Sequence, residues 1–236
     1  MSRYNKDVKF TSSLETLLKI KENKELILKS KKLEDYVIET KNTFLALRLA
    51  IELDDRGIRT TKLQNFIIEN AEPRLIFRFA KEIKKSNVAR LQAAVINRGN
   101  ILQIAKFGCF IKGADRLLIE NIISKSDNAK AAYLYLKFVK YCNINKLKPI
   151  IFKSKKPRYL FALAKLTKNN RDLNKIQDLI IESSSNTYVR LFAVHIKMAN
   201  IERLEQRIIA TKNIEEMKKF VKAVKSPRLS KLALLF

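Results

Sequence analysis

The chain has 236 residues, carries 49 Lys and Arg against 23 Asp and Glu, and has a formal charge of +26 with a pI near 10.1. It contains one His, two Cys, four Gly and no Trp. A His-based triad or two-His metal site is therefore excluded unless it is built around His195, and neither G-x-x-x-x-G-K-[ST] nor G-x-G-x-x-G occurs. No cofactor is expected. A balance this basic points to a polyanionic partner, of which nucleic acid is the commonest.

Residues 1–32 hold apolar groups at Leu14, Leu17, Leu18, Ile20 and Leu26 to Leu28 without clear periodicity, and are expected to form one or two irregular capping helices. Ser2 to Lys6 is not followed by a signal-peptide core, and no apolar run reaches membrane-span length, so an intracellular protein is expected.

From Leu33 onward a unit of about 28 residues repeats. Leu33, Leu63, Leu91, Ile119, Leu147, Ile176 and Leu204 each open a copy, at spacings of 30, 28, 28, 28, 29 and 28 residues. With each opening residue as position 1, position 17 is large and apolar: Leu49, Phe79, Phe107, Tyr135, Leu163, Phe192 and Phe220. In the copy from Leu63 to Arg90, Leu63, Phe66 and Ile67 predict a first helix over Lys62 to about Glu69. Asn70-Ala71-Glu72-Pro73 breaks it, with Pro73 suited to the first turn of a second helix. Leu75, Ile76, Phe79, Ala80 and Ile83 give that helix its apolar face. Ser, Thr, Asp or Asn recur at the break, as in Thr40 to Thr43, Ser126 to Asn128, Ser183 to Asn186 and Thr211 to Asn213.

Each unit is thus a helical hairpin too short to bury its own apolar face, and stacking the hairpins makes one continuous core. The expected fold is all-α: a right-handed α-solenoid of seven two-helix repeats over 33–231, followed by an apolar stub, 232–236, folded back on the last repeat. No internal linker is visible, so one domain is expected.

The unit resembles a short HEAT- or armadillo-type α-solenoid repeat. Segments such as Leu63–Lys81 and Ile176–Asn200 are similar to the "LxxxII-x-S…FA-K…AN" arrays of large DNA viruses, phages and some bacteria. The resemblance covers residues 33–231 and implies an architecture and a binding role, with no catalytic residues attached.

Basic residues fall at defined places in the repeat. Position 22 is Lys84, Lys112, Lys140, Lys168, Lys197 and Lys225, with Asp54 the exception. Position 19 adds Lys81, Lys137, Lys165 and Lys222, and position 16 adds Arg48, Arg78, Lys106 and Lys219. These positions share one face of the second helix with Arg74, Lys130 and Arg158 at position 12. Acids sit mainly on the first helix: position 2 is Glu34, Gln64, Gln92, Glu120, Gln177 or Glu205, with Lys148 the exception. Helix-dipole preferences alone would account for Lys at position 22, in the last turn, and for Glu or Gln at position 2. They do not account for bases at positions 12 and 16.

Stacked, the basic positions form a ridge able to neutralise successive phosphates. The expected function is therefore non-catalytic and largely sequence-independent binding of RNA or DNA through the fourteen residues at positions 16, 19 and 22. The alternative is a protein-interaction scaffold gripping an acidic partner. A DNA glycosylase of HEAT-like fold is a remote third, since no carboxylate stands out on the basic column and Trp is absent. Tyr133, Phe77 and Phe161, at position 15, are expected to pack against the core or its flank. His195 is expected packed or half-buried, Cys109 and Cys142 buried or half-buried and reduced, and Asp54-Asp55 part of an inter-repeat loop.

Overall fold

The computed structural model describes residues 23–224, with side chains from residue 28 onward. Most of the expected capping segment, the stub 232–236 and Lys225 lie outside the described residues. Within them all regular structure is helical, in fourteen helices with no strand. Contacts divide the chain into two compact units between Arg116 and Leu117.

The first unit holds α1 (Asn23–Glu39), α2 (Thr43–Asp55), α3 (Thr61–Asn70), α4 (Pro73–Glu82), α5 (Val88–Arg98) and α6 (Ile101–Phe110). α1 runs through Leu33 without a break, so the first helix of the array begins well upstream of its register residue. The first helices α1, α3 and α5 pack in one row and the second helices α2, α4 and α6 in another. The second unit holds α7 (Arg116–Ser124), α8 (Ala129–Phe138), α9 (Ile144–Ser154), α10 (Pro157–Ala164), α11 (Asn170–Glu182), α12 (Asn186–His195), α13 (Ile201–Ala210) and α14 (Ile214–Val224). Its second helices α8, α10, α12 and α14 pack each on the next, while α9, α11 and α13 each lie against the second helix on either side.

Every residue at repeat positions 1 and 17 is buried. Fully burying a Leu or Phe side chain contributes about 1.5–3 kcal/mol, so these two columns supply a recurring share of the packing of each hairpin. The turns that separate the helices follow from short polar side chains. At position 8, Thr40, Ser126, Ser154, Ser183 and Thr211 donate their hydroxyls to the carbonyls of Val37, Ile123, Ile151, Ile180 and Ile208, at 2.6–2.7 Å. The hydroxyl adds a bond to a carbonyl in the last turn, and at Ile123 and Ile208 that carbonyl also accepts a backbone N–H. Lys41, Lys155, Ser184 and Lys212 then turn the chain in the left-handed region. Asn side chains cap the following helices: Asn42 accepts from the Phe44 and Leu45 amides, Asn128 from Ala131, and Asn200 from Arg203.

Four of the second helices stop at a β-branched residue. Ile83, Ile111, Val139 and Ile196 are buried C-caps with extended backbone (φ −92 to −105, ψ 104 to 121), and each still donates its N–H to the position-17 carbonyl. Ile and Val favour this conformation, and burial of the side chain holds it there. Lys84, Lys112, Lys140 and Lys197 consequently lie one residue beyond the helix cap. The last turn of the helix is occupied instead by position 19, as in Lys81, Lys137 and Lys222.

Position 2 faces inward. Glu34, Gln64, Gln92, Glu120, Gln177 and Glu205 are buried. Four of these side chains reach the next hairpin. Gln64 accepts the Asn87 N–H at 2.8 Å, Gln92 that of Asp115 at 2.7 Å, Glu120 that of Asn143 at 2.8 Å and Gln177 that of Asn200 at 2.9 Å. Gln92 and Gln177 also donate to the carbonyls of the same residues, at 3.4 and 3.1 Å. Each bond ties a first helix to backbone 23 residues further along the chain.

Candidate functional site

The cations fall into two populations with different surroundings. On four of the first helices the cation just before position 1 is engaged with the preceding repeat. Lys62 pairs with Asp35, Arg90 donates to Asn65 at 2.7 Å, Lys146 donates to Asn121 at 2.7 Å, and Arg203 pairs with Asp178 at 2.7 Å. The Asp35 hydrogen bond raises the basicity of Lys62. Arg98, which replaces the position-8 hydroxyl of the third repeat, donates to the last carbonyls of α3 at Ile68 and Glu69. Arg207 likewise donates to the Ile181 carbonyl at 3.2 Å. These side chains stitch hairpins together.

The second-helix cations are exposed. In the first unit they are Arg48 on α2, Arg78 and Lys81 on α4, Lys84 after α4, Lys106 on α6 and Lys112 after α6. In the second unit they are Lys137 on α8, Lys140 after it, Lys165 and Lys168 after α10, Lys197 after α12, and Lys219 and Lys222 on α14. Three have acid partners among the described residues: Arg78 with Glu82 at 3.3 Å, Lys84 with Asp55 at 3.8 Å and Lys219 with Glu216 at 2.9 Å. Asp54, the position-22 exception, accepts the Lys84 N–H at 2.9 Å from the end of α2, not from a loop. No carboxylate pairs with Arg48, Lys81, Lys106, Lys112, Lys137, Lys140, Lys165, Lys168, Lys197 or Lys222 among the described residues. Each unit thus presents its own set of unneutralised cations on its second-helix side.

Aromatic residues join the basic ones in the second unit. Tyr133 and Phe161, at position 15, and Tyr159 and Tyr188, at position 13, come from α8, α10 and α12. Tyr133 stacks on Tyr159 with centroids 4.7 Å apart, and Phe161 lies 6.0 Å from Tyr188 and 6.1 Å from His195. Arg158 sits 5.2 Å over the Tyr133 ring and donates Nε–H to its hydroxyl at 3.3 Å, which raises its basicity. The Lys165 ammonium lies 4.7 Å over Phe161. Tyr133 is buried as expected, whereas Phe161, Tyr159 and Tyr188 are half-buried and line or flank an open groove. His195 is exposed at the end of α12, because the buried Ile196 beside it takes the inward place.

In the first unit Phe77 meets Phe107 edge-on at 6.4 Å, and a hollow of about 450 Å³ by Phe44, Arg74 and Arg78 also contains Glu72. Cys109 is buried and Cys142 half-buried. Burial, with Glu120 nearby, pushes the Cys142 thiol upward, away from a reactive thiolate. Among the described residues no cluster of three His, Cys, Asp or Glu could hold a metal, and no helix is long and apolar enough to cross a membrane.

Periodicity located the cations but not the division of labour among them. A position-0 base paired with a position-3 acceptor one repeat earlier is the signal that separates the stitching cations from the rest. The chain matches no protein-family model, no curated protein and no solved structure.

Proposed function

We propose that this chain is a non-catalytic nucleic-acid-binding protein that engages the phosphate backbone largely without regard to sequence. One observation carries this reading: the first-helix cations Lys62, Arg90, Lys146 and Arg203 are tied into inter-hairpin contacts, while ten second-helix cations are exposed with no acid partner among the described residues. Exposed lysines unopposed by carboxylates are what counterion-release binding requires. No recurring set of polar side chains reads base edges along the second helices, so backbone contact is the better-supported mode.

A mobility-shift titration across salt tests it. Affinity should fall steeply between about 50 and 200 mM salt, with a slope of about 0.9 per neutralised phosphate on duplex DNA. Combined Lys81→Glu, Lys106→Glu and Lys112→Glu reversals in the first unit, or Lys137→Glu, Lys140→Glu and Lys165→Glu in the second, should lower affinity at least ~10-fold and flatten the slope. A flat salt dependence, or reversals without effect, would sink the proposal.

A further inference from the structure

Three consecutive second helices, α8, α10 and α12, enclose a groove of about 430 Å³ in the second unit. Its wall is largely aromatic and aliphatic, with Tyr133, Phe161 and Tyr188 contributing rings. Three cations, Lys137, Arg158 and Lys165, also line it, and no Asp or Glu does. The volume falls within the ~300–1,000 Å³ typical of small-ligand sites. A purely phosphate-binding face has no use for such a hollow. An occupant that matches it is flat and aromatic at one end and anionic at the other.

We infer that the α8–α10–α12 groove takes an unpaired base of a single-stranded nucleic acid, with its flanking phosphate on Arg158, Lys137 and Lys165. This rests on the polyanion-binding reading above and adds a preference for single strands over duplexes. Half-buried rings such as Phe161 and Tyr188 present π surface to a base at little ordering cost, because packing already limits their rotamers. Arg158 is oriented by Tyr133 through its Nε–H, which leaves the two terminal NH2 groups of the guanidinium to hydrogen-bond phosphate oxygens. Lys137 and Lys165 are held near aromatic rings, over Phe138 at 4.9 Å and Phe161 at 4.7 Å, and are opposed by no acid. In a duplex the bases are paired and stacked inside, so a duplex can offer this groove phosphates only.

The test uses the full chain with a fluorescein-labelled 15-mer of thymidine, the corresponding mixed-sequence 15-base-pair duplex, and thymidine monophosphate. The single strand should bind roughly tenfold more tightly than the duplex at equal salt. Because the chain has no Trp and Tyr133, Tyr159 and Tyr188 are three of its seven Tyr, unlabelled single strand should also quench intrinsic tyrosine emission. The double variant Phe161→Leu with Tyr188→Leu keeps the cations and the apolar bulk. It should lose roughly tenfold in single-strand affinity with duplex affinity and salt slope unchanged, and Phe161→Tyr should retain wild-type binding. Circular dichroism checks that the variants fold, and the wild-type comparison of strand, duplex and quenching stands on its own if they do not.

Equal affinity for strand and duplex without tyrosine quenching would overturn the inference and leave phosphate-backbone binding intact. Absence of binding to either at low salt would overturn both. Thymidine monophosphate binding as tightly as the 15-mer would assign the groove to a free nucleotide and overturn the strand assignment.

Discussion

Lys148 pairs with Asp172 at 2.8 Å at the one place where position 2 is neither Glu nor Gln. A lysine cannot accept a backbone N–H, so the link used elsewhere is chemically impossible here. The chain compensates by moving a helical turn. α10 stops at Ala164 after only eight residues, and α11 starts at Asn170 and runs for thirteen. Asp172 occupies the register of Asn87, Asp115, Asn143 and Asn200, yet lies inside the first turn of α11. Its amide is capped by Asn169, and its carboxylate is presented to Lys148. Both side chains are about one-fifth exposed, so solvent screens the pair only in part. A double-mutant cycle of Lys148→Met with Asp172→Asn should give a coupling energy of about 1 kcal/mol, read from urea unfolding midpoints. Additive single effects would mean that the pair does not hold the two hairpins together.

The amide links predict a larger effect. Gln177→Leu preserves apolar volume but strands the N–H of Asn200, which Gln177 accepts at 2.9 Å, while the Asn200 carbonyl keeps the Leu204 N–H. Leaving that part-buried N–H without a partner costs about 1–3 kcal/mol, and the loss should appear in urea denaturation with little change in helical content. A neutral result would require water to replace the amide.

Glu34 predicts a pH dependence. Burial raises its pKa above the ordinary 4.5, the nearby positive charge of Lys62 only partly offsetting the desolvation. The folded chain therefore holds this proton more tightly than the unfolded chain does. The stability gained from that proton is present below about pH 4.5 and is lost as pH rises through the folded pKa. Gln, the residue found at the same register in Gln64, Gln92 and Gln177, has no such loss. Glu34→Gln should raise the thermal midpoint by roughly 2–4 °C at pH 7, a gain of ~1 kcal/mol in a chain of this size, and the gain should vanish as pH falls below 4. A gain independent of pH would refute the assignment to ionisation.

Tyr141 offers a backbone test. It is 97% exposed and lies in the left-handed region at φ 62, at the register where the preceding repeat has Gly113 at φ 83. The left-handed conformation costs a non-glycine residue about 1–2 kcal/mol, which Tyr141→Gly relieves at the expense of some unfolded-state entropy. A net stabilisation of about 0.5–1 kcal/mol should follow in urea unfolding. Destabilisation would show that the ring contributes contacts that outweigh the strain.

Much of this architecture is legible in the sequence because burial here is periodic. The columns headed by Leu63 and Phe79 need nothing beyond spacing to be recognised as core, and the Ser and Thr breaks mark the turns. Position 2 was harder to read, since Gln92 on a buried seam and a solvated Gln look alike one letter at a time; its place directly after the most buried residue of the first helix was the available clue. The spacing from Leu147 to Ile176, nearly that of its neighbours, concealed a whole turn transferred from α10 to α11. Likewise the basic column was visible as a column, but which cations are engaged depends on partners about 25 residues away, as in Arg90 with Asn65. The groove by Phe161 was hidden because exposure of a flanking ring depends on three helices at once.

The links from position 2 grip main-chain atoms, and this bears on how such an array can change. An amide at Gln64, Gln92 or Gln177 fastens whatever residue follows, since every residue other than proline offers the same N–H and carbonyl. At these junctions the position-2 link itself needs no matching side chain in its neighbour, and only the pairs such as Arg90–Asn65 and Arg203–Asp178 tie one hairpin to particular residues of the next. The Lys148–Asp172 junction lacks that freedom. It needs two specific side chains and a displaced helical turn, so the hairpins on either side of it are bound to travel as a pair.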